Sequence, residues 1–112
     1  MVDILMATYN GEAFLEEQVQ SIIAQSFTDW RLLIHDDGST DNTVNILRRL
    51  MQKDKRIQLL EDGISHMGVA RNFIHLVTCT SAPYCMFCDQ DDIWLPNKVE
   101  EMLSEIKQYS QD

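Results

Sequence analysis

Tyr84-Cys85-Met86-Phe87-Cys88-Asp89-Gln90-Asp91-Asp92-Ile93-Trp94-Leu95-Pro96 is an apolar run that stops at three carboxylates, with a proline just beyond. Tyr84–Phe87 is almost continuously apolar, which predicts a strand buried on both faces. Pro96 suits the first turn of a helix in which Val99, Met102, Leu103 and Ile106 recur at i, i+3, i+4 and i+7. Asp89, Asp91 and Asp92 therefore sit at a strand's carboxyl end, where open α/β sheets place their ligands. Carboxylates so crowded repel unless a divalent cation or several hydrogen-bond donors take up their charge. Oxygen-only donors select Mg²⁺, Mn²⁺ or Ca²⁺ over zinc.

Upstream, the same alternation repeats. Val2–Ala7 reads as an apolar strand, followed by a helix over Ala13–Gln25 with Leu15, Val19, Ile22 and Ile23 on one face. Trp30–His35 is the second strand, and Asp41–Lys53 the second helix, with Val44, Leu47 and Met51 inward and Ser39, Thr40 or Asp41 as N-cap. Arg56–Leu60 reads as a short third strand, Gly68–Thr78 as a helix with Phe73, Ile74 and Val77 inward, and Tyr84–Cys88 as the fourth strand. Four strand–helix units in succession imply right-handed crossovers and a Rossmann-like, doubly wound, mostly parallel sheet with helices on both faces.

Composition narrows the function. The 112 residues make one domain's worth of chain or less, and 45% hydrophobic residues exclude disorder and a disulfide scaffold. A net charge of −9 argues against nucleic acid or an anionic membrane surface as partner, since both call for basic patches. No stretch reaches the ~20 apolar residues of a membrane span, and no signal segment precedes the first strand. Cys79, Cys85 and Cys88 cannot all pair within the chain and fit a reducing compartment, so a cytoplasmic location is expected. Cys85 and Cys88 form a C-x-x-C, but within a strand they point to opposite faces, which suits neither a redox pair nor a zinc knuckle.

Three strand ends carry polar clusters: Thr8-Tyr9-Asn10-Gly11, Asp36-Asp37-Gly38-Ser39-Thr40-Asp41 and Asp89-Gln90-Asp91-Asp92. Taken singly, each has a bland reading as a turn or helix cap. In a parallel sheet, however, all three fall on one rim. The second cluster is no calcium loop, because it lacks a Glu at the twelfth position and alternating oxygen ligands. There is no G-x-G-x-x-G and no P-loop lysine. His35, His66 and His75 read as structural. Arg71 stands either to meet a phosphate or to hold a neighbouring acid.

The chain resembles the nucleotide-binding half of family 2 glycosyltransferases, and within them the bacterial rhamnosyltransferase-like branch. The resemblance rests on Ile4–Gly11, Gln25-Ser26-Phe27, His35–Thr43, Gly68–Phe73 and the opening run continued through Pro96-Asn97-Lys98, which follow the family's order over nearly the whole chain. It implies a three-layer α/β/α fold of the GT-A type, truncated, with residues 1–112 as the nucleotide-sugar-binding part. The implied nucleotide site is Ala7, Thr8, Tyr9, Asn10, Asp36, Asp37, Gly38, Arg71, Asp89 and Gln90. Thr8 and Tyr9 would border the base, and Asp37 would bond the imide of a uracil or thymine while Asp36 supports the turn. Asp89 would lie toward the ribose, Asp91 with Asp89 would hold Mn²⁺ or Mg²⁺ at the diphosphate, and Asp92 would face the sugar or acceptor.

The activity so implied is inverting transfer of a sugar from a UDP- or dTDP-linked donor to a saccharide acceptor in bacterial surface polysaccharide synthesis. The family's general base lies in a later segment, so this chain is expected to carry no catalytic base and to bind donor without efficient transfer. The full-length protein is expected in the cytoplasm, at most peripheral to the inner face of the membrane. Apolar surface at a truncated edge favours a homodimer. A non-catalytic nucleotide-sugar module shares the same sites. A receiver-type signalling domain shares the sheet but needs an acid pair after the first strand, where this chain has Thr8-Tyr9-Asn10.

Overall fold

The structure, a computed structural model, describes residues 1–89 and 92–110. Eight elements alternate: β1 Val2–Thr8, α1 Leu15–Ile23, β2 Trp30–Asp36, α2 Thr43–Lys53, β3 Ile57–Leu59, α3 Val69–Cys79, β4 Tyr84–Cys88 and α4 Lys98–Ser110. The four strands form one parallel sheet in the order β3-β2-β1-β4. Ile4 registers with Leu32 on one side and Met86 on the other, and Thr8 registers with Asp36. Strand alternation then sorts the side chains by face. Val2, Ile4, Met6, Trp30, Leu32, Ile34, Met86 and Cys88 meet Leu15, Val19 and Ile22 of α1, Leu47 and Leu50 of α2, and Val99 and Leu103 of α4. On the opposite face Leu5, Ala7 and Leu33 meet Leu76 and Phe73 of α3. The result is the expected α/β/α sandwich.

Its topology reverses at β1. The chain first steps outward to β2 and β3 beneath α1 and α2, then crosses the other face through α3 to place β4 on β1's far side. The crevice at the carboxyl ends of β1 and β4 is a topological switch point.

The expectation that β4 is buried on both faces is not met. Met86 and Cys88 are buried, whereas Cys85 is exposed and Phe87 is 56% exposed. The strand is an edge: α3 packs mainly over β1 and β2 and reaches β4 through Phe73, whose ring meets that of Phe87 edge to face at 5.1 Å. Burial on both faces belongs to β1, every residue of which is buried. The inward face assigned to α3 also changes. Asn72 and Leu76, four apart, face the sheet, Phe73 is half-buried, and Ile74 and Val77 are exposed. Hydrophobicity alone favoured the β-branched residues, but Asn72 sets the helix's rotation: its amide nitrogen donates to the His35 carbonyl at 3.0 Å and its oxygen meets His35 Nδ1 at 2.9 Å. On α2 the inward stripe is Thr43, Leu47 and Leu50, with Val44 and Met51 at its margins. On α4, Val99 and Leu103 are buried while Met102 faces outward.

Within the sheet, Asp3 is fully buried and accepts two bonds from Arg31, Nε at 3.0 Å and Nη2 at 2.7 Å, plus one from the Thr80 hydroxyl. Burial by itself would raise this carboxyl's pKa. The bonds from Arg31 and Thr80, with the Arg31 charge, outweigh it and hold the group below its ordinary range.

Candidate functional site

The parallel register brings the polar strand ends to one rim, where they brace one another. Thr8 Oγ1 donates to Asp36 Oδ1 at 2.8 Å, and the Ser39 N–H and Oγ–H also donate to Asp36, at 2.8 and 2.6 Å. Asn10 ties the first loop to the second: its N–H donates to Ser39 Oγ at 2.8 Å and its Oδ1 accepts the Thr40 N–H at 2.8 Å. Gly11 N–H donates to Thr43 Oγ1 at 2.9 Å. Asp41 accepts the Thr43 N–H at 2.9 Å and its hydroxyl, and these bonds keep the Asp41 pKa below the usual range. The N-cap of α2 is therefore Asn42, one residue beyond the expected three, and it makes no side-chain capping bond. Gly38 stands at φ +92°, and a Cβ there would lie 3.1 Å from the His66 ring, so both backbone and space call for glycine.

Asp37 is buried against α3. Its Oδ1 accepts the Met67 N–H at 2.7 Å and its Oδ2 the Gly68 N–H at 2.9 Å, placing a carboxylate at the amino end of the helix. The Asp37 N–H donates to the Thr8 carbonyl at 2.9 Å. A small cavity of about 60 Å³ lies beside it, between Thr8, Tyr9, Asp37, Phe73 and Asp89. Residues from all three clusters thus line one crevice, at the switch point. A broader hollow of about 500 Å³ adjoins it over β3 and α2, walled by Asp36, Arg48, Glu61 and Ser65. The convergent polar groups lie at the smaller one.

Asp89 is exposed at the end of β4. Its carbonyl accepts a bond from Gln18 Nε2 and, at 3.2 Å, the Asp92 N–H. Asp89 also lines the crevice, and its carboxylate is a hard oxygen donor of the kind Mg²⁺ or Mn²⁺ takes. Gln90 and Asp91 lie outside the described residues. Asp92 is exposed beside them. Ala7 is buried at the crevice wall and Arg71 is exposed on the first turn of α3, where among the described residues it has no acidic partner.

Sequence reasoning missed what anchors the acidic segment. Gln18 is buried on α1 and reaches Cys88 Sγ at 3.3 Å as well as the Asp89 carbonyl. Ser21 Oγ accepts the Trp94 N–H at 3.0 Å. Gln25 donates to the Leu95 carbonyl at 2.7 Å and accepts the Val99 N–H at 3.0 Å. The signal was present: polar residues at positions 18, 21 and 25 follow the helical spacing of a face that also carries Leu15 and Ile22. They pin Asp89, Trp94, Leu95 and Val99 to α1 and the turn that follows it. Cys85 is exposed, Cys88 is buried, both are free, and burial pushes the Cys88 thiol up to about 12.

Comparison with known proteins identifies the family and the fold. The family model described as glycosyl transferase family 2 matches residues 3–112. The chain is 40% identical over 102 residues to the dTDP-rhamnosyl transferase RfbG of Shigella flexneri, covering 88% of this chain and 35% of that protein. It is 35% identical over 104 residues to the UDP-Glc:alpha-D-GlcNAc-diphosphoundecaprenol beta-1,3-glucosyltransferase WfgD of Escherichia coli, covering 93% and 40%. The chain thus spans well under half the length of these relatives. Among solved structures, S. aureus TarS 1-349 in complex with UDP superposes with a TM-score of 0.84 at 20% identity, over 96% of this chain and 32% of that one. The mannosyltransferase PcManGT from Pyrobaculum calidifontis, in complex with GDP-Man and Mn²⁺, gives 0.75 at 23% identity, over 83% and 28%. These structural likenesses establish the GT-A fold.

Proposed function

This chain belongs to glycosyl transferase family 2, and we propose that it forms the donor-binding part of an inverting glycosyltransferase using a UDP- or dTDP-linked sugar. The observation that carries this reading is the meeting of Thr8, Tyr9, Asp37 and Asp89 around one crevice at the switch point. Thr8 and Tyr9 border the base. Asp37 accepts the imide N–H of uracil or thymine: each of its oxygens already takes one backbone N–H and keeps a second lone pair. Asp36, held by Thr8 and Ser39, keeps the turn through Gly38 rigid beneath the nucleotide. Arg71 reaches the phosphates as a bidentate donor, with Ala7, Asn10 and Gln90 completing the nucleotide's surroundings.

Asp89 and Asp91 would hold Mg²⁺ or Mn²⁺, and Asp89 also faces the ribose. The bound ion supplies Lewis-acid stabilisation of charge on the departing diphosphate. Gln18 keeps Asp89 in place for that role, and Asp92 faces the sugar and acceptor. The relatives named for rhamnosyl and glucosyl transfer support a bacterial surface saccharide as acceptor. No residue of this chain is assigned as the general base, whose loss costs about 10²–10⁴ in rate. The chain alone binds donor and transfers inefficiently.

Among the described residues no helix is long and apolar enough to cross a membrane. We place the whole protein in the cytoplasm, peripheral to the inner membrane face where a lipid-linked acceptor would reside. The exposed side of β4 around Phe87 and of α3 around Ile74 supports self-association, measurable by sedimentation. Family membership displaces the receiver-type alternative.

The test is a thermal-shift panel of UDP, dTDP, GDP and CMP with and without Mn²⁺. UDP or dTDP should stabilise the fold in the presence of metal, Asp91→Ala should abolish the shift and Asp37→Ala should reduce it. Equal shifts in both variants would overturn the site.

A further inference from the structure

Outside the nucleotide crevice three side chains from three separate elements converge. They are His35 on β2, Asp62 in the loop between β3 and α3, and His75 on α3. His35 Nε2 lies 3.0 Å from Asp62 Oδ1, and His75 Nε2 lies 2.6 Å from Asp62 Oδ2. The two rings meet edge to face with centroids 4.8 Å apart.

Donor and acceptor accounting shows what this contact needs. The His35 carbonyl can only accept, so Asn72 must turn its amide nitrogen to it, at 3.0 Å, and its oxygen to His35 Nδ1, at 2.9 Å. Nδ1 therefore carries the ring proton. A neutral His35 then points the lone pair of Nε2 at a carboxylate oxygen, acceptor against acceptor. His35 is 1% exposed, so water cannot relieve the clash. A cation has to stand between them, either a second proton or a metal ion.

We propose that His35 Nε2, the Asp62 carboxylate and His75 Nε2 form a second divalent-cation site, of the zinc class, independent of the acids that would serve the diphosphate. Two imidazoles and a carboxylate are borderline donors that suit Zn²⁺ better than Mg²⁺ or Mn²⁺. The three ligand atoms lie within 4.8 Å of one another, and a tetrahedral ion with bonds of ~2.0–2.1 Å spaces its ligands by roughly 3.3 Å, so binding requires the widest pair to close by about 1.5 Å. Asn72 plays the part of the outer partner that fixes a ligating histidine's tautomer. Asp62 and His75 are partly exposed, which leaves an entry path and room for a water as fourth ligand. The Ile64 N–H donates to Asp62 Oδ1 at 3.0 Å and orients the carboxylate.

An ion here would staple the loop bearing Asp62 to both β2 and α3. The same loop continues to Met67 and Gly68, whose N–H groups hold Asp37. The site is thus a structural clasp on the base-binding side of the crevice.

The experiment is titration of the metal-stripped chain with Zn²⁺ in competition with a chromogenic chelator, repeated with Co²⁺ for its ligand-field spectrum. One ion per chain is expected. His75→Ala and Asp62→Asn should each weaken binding at least tenfold while circular dichroism shows the fold retained, and Asp89→Ala, Asp91→Ala, Cys79→Ser and Cys85→Ser should leave it unchanged. No stoichiometric binding would leave a proton as the bridge and overturn the proposal. So would binding that His75→Ala and Asp62→Asn do not weaken, or that the Asp91 or cysteine variants remove. Failure of the nucleotide panel would leave this result untouched, because the two sites share no ligand.

Discussion

Asp37→Asn keeps the shape of the side chain that closes the start of α3 but removes its charge and one of its two acceptors. In the native chain the Met67 N–H donates at 2.7 Å and the Gly68 N–H at 2.9 Å, one to each oxygen. Asparagine can receive only one of them, and its own NH₂ then faces the other donor. Losing a bond to a charged acceptor costs about 1.5–3 kcal/mol. Weakening the remaining one to neutral strength costs roughly 1 kcal/mol, and loss of a negative charge at a helix amino terminus adds about 0.3–1 kcal/mol. The sum is roughly 3–5 kcal/mol. A 112-residue domain carries about 6–17 kcal/mol in all, from ~0.05–0.15 per residue. Most of the fold should survive while the segment 61–68 opens. Amide hydrogen exchange reads this directly: Met67 and Gly68 should lose protection by at least ~10²-fold, while Ile4, Leu32 and Leu76 keep theirs. Unchanged exchange at Met67 and Gly68 would refute the clamp, and uniform loss across the sheet would refute its being local.

Three further substitutions probe the frame that holds the crevice. Asp3 is held below its ordinary pKa in the folded state, so its contribution is full above the unfolded value of ~3.9 and disappears as pH falls through the folded one. Arg31→Ala removes the ion pair behind that depression and leaves the buried carboxylate with the Thr80 hydroxyl as its side-chain donor. It should destabilise the chain by about 3–5 kcal/mol at neutral pH and move the acid-unfolding midpoint, followed by circular dichroism, to higher pH; an unmoved midpoint would sink the pairing. On α3, Leu76→Ala should cost about 2–5 kcal/mol in urea unfolding, and Ile74→Ala should stay within ~0.5 kcal/mol. The reverse ranking would mean that the helix is turned as its hydrophobicity alone suggests.

The parts legible in the sequence are those governed by local pattern. Apolar runs and helical spacing located all eight elements, with ends shifted by one or two residues where caps and turns intervene, as at Asn42 before α2. The doubly wound sheet followed from alternation, and the rim clusters at Thr8, Asp37 and Asp89 followed from strands running parallel. Periodicity misassigned α3 because its inner face carries a polar residue. Asn72 is buried for the sake of the His35 backbone, a partner that a pattern of hydrophobicity does not register. It misread β4 for a related reason: an apolar strand reads the same whether both of its faces are covered or one is left open at an edge.

What the sequence by itself determined, then, is the succession of elements, the sharing of one rim by the three clusters, and the family resemblance. All of these depend on spacing along the chain. Only the tertiary structure decided which of those residues touch. Strand order β3-β2-β1-β4 sets β4 against β1, so that Gln18 of α1 holds Asp89. The return of the chain through α3 sets Met67 and Gly68 on Asp37, and His75 beside His35 and Asp62. Such contacts join positions far apart in the chain, and they arise from the order in which strands pair and the rotation of one packed helix.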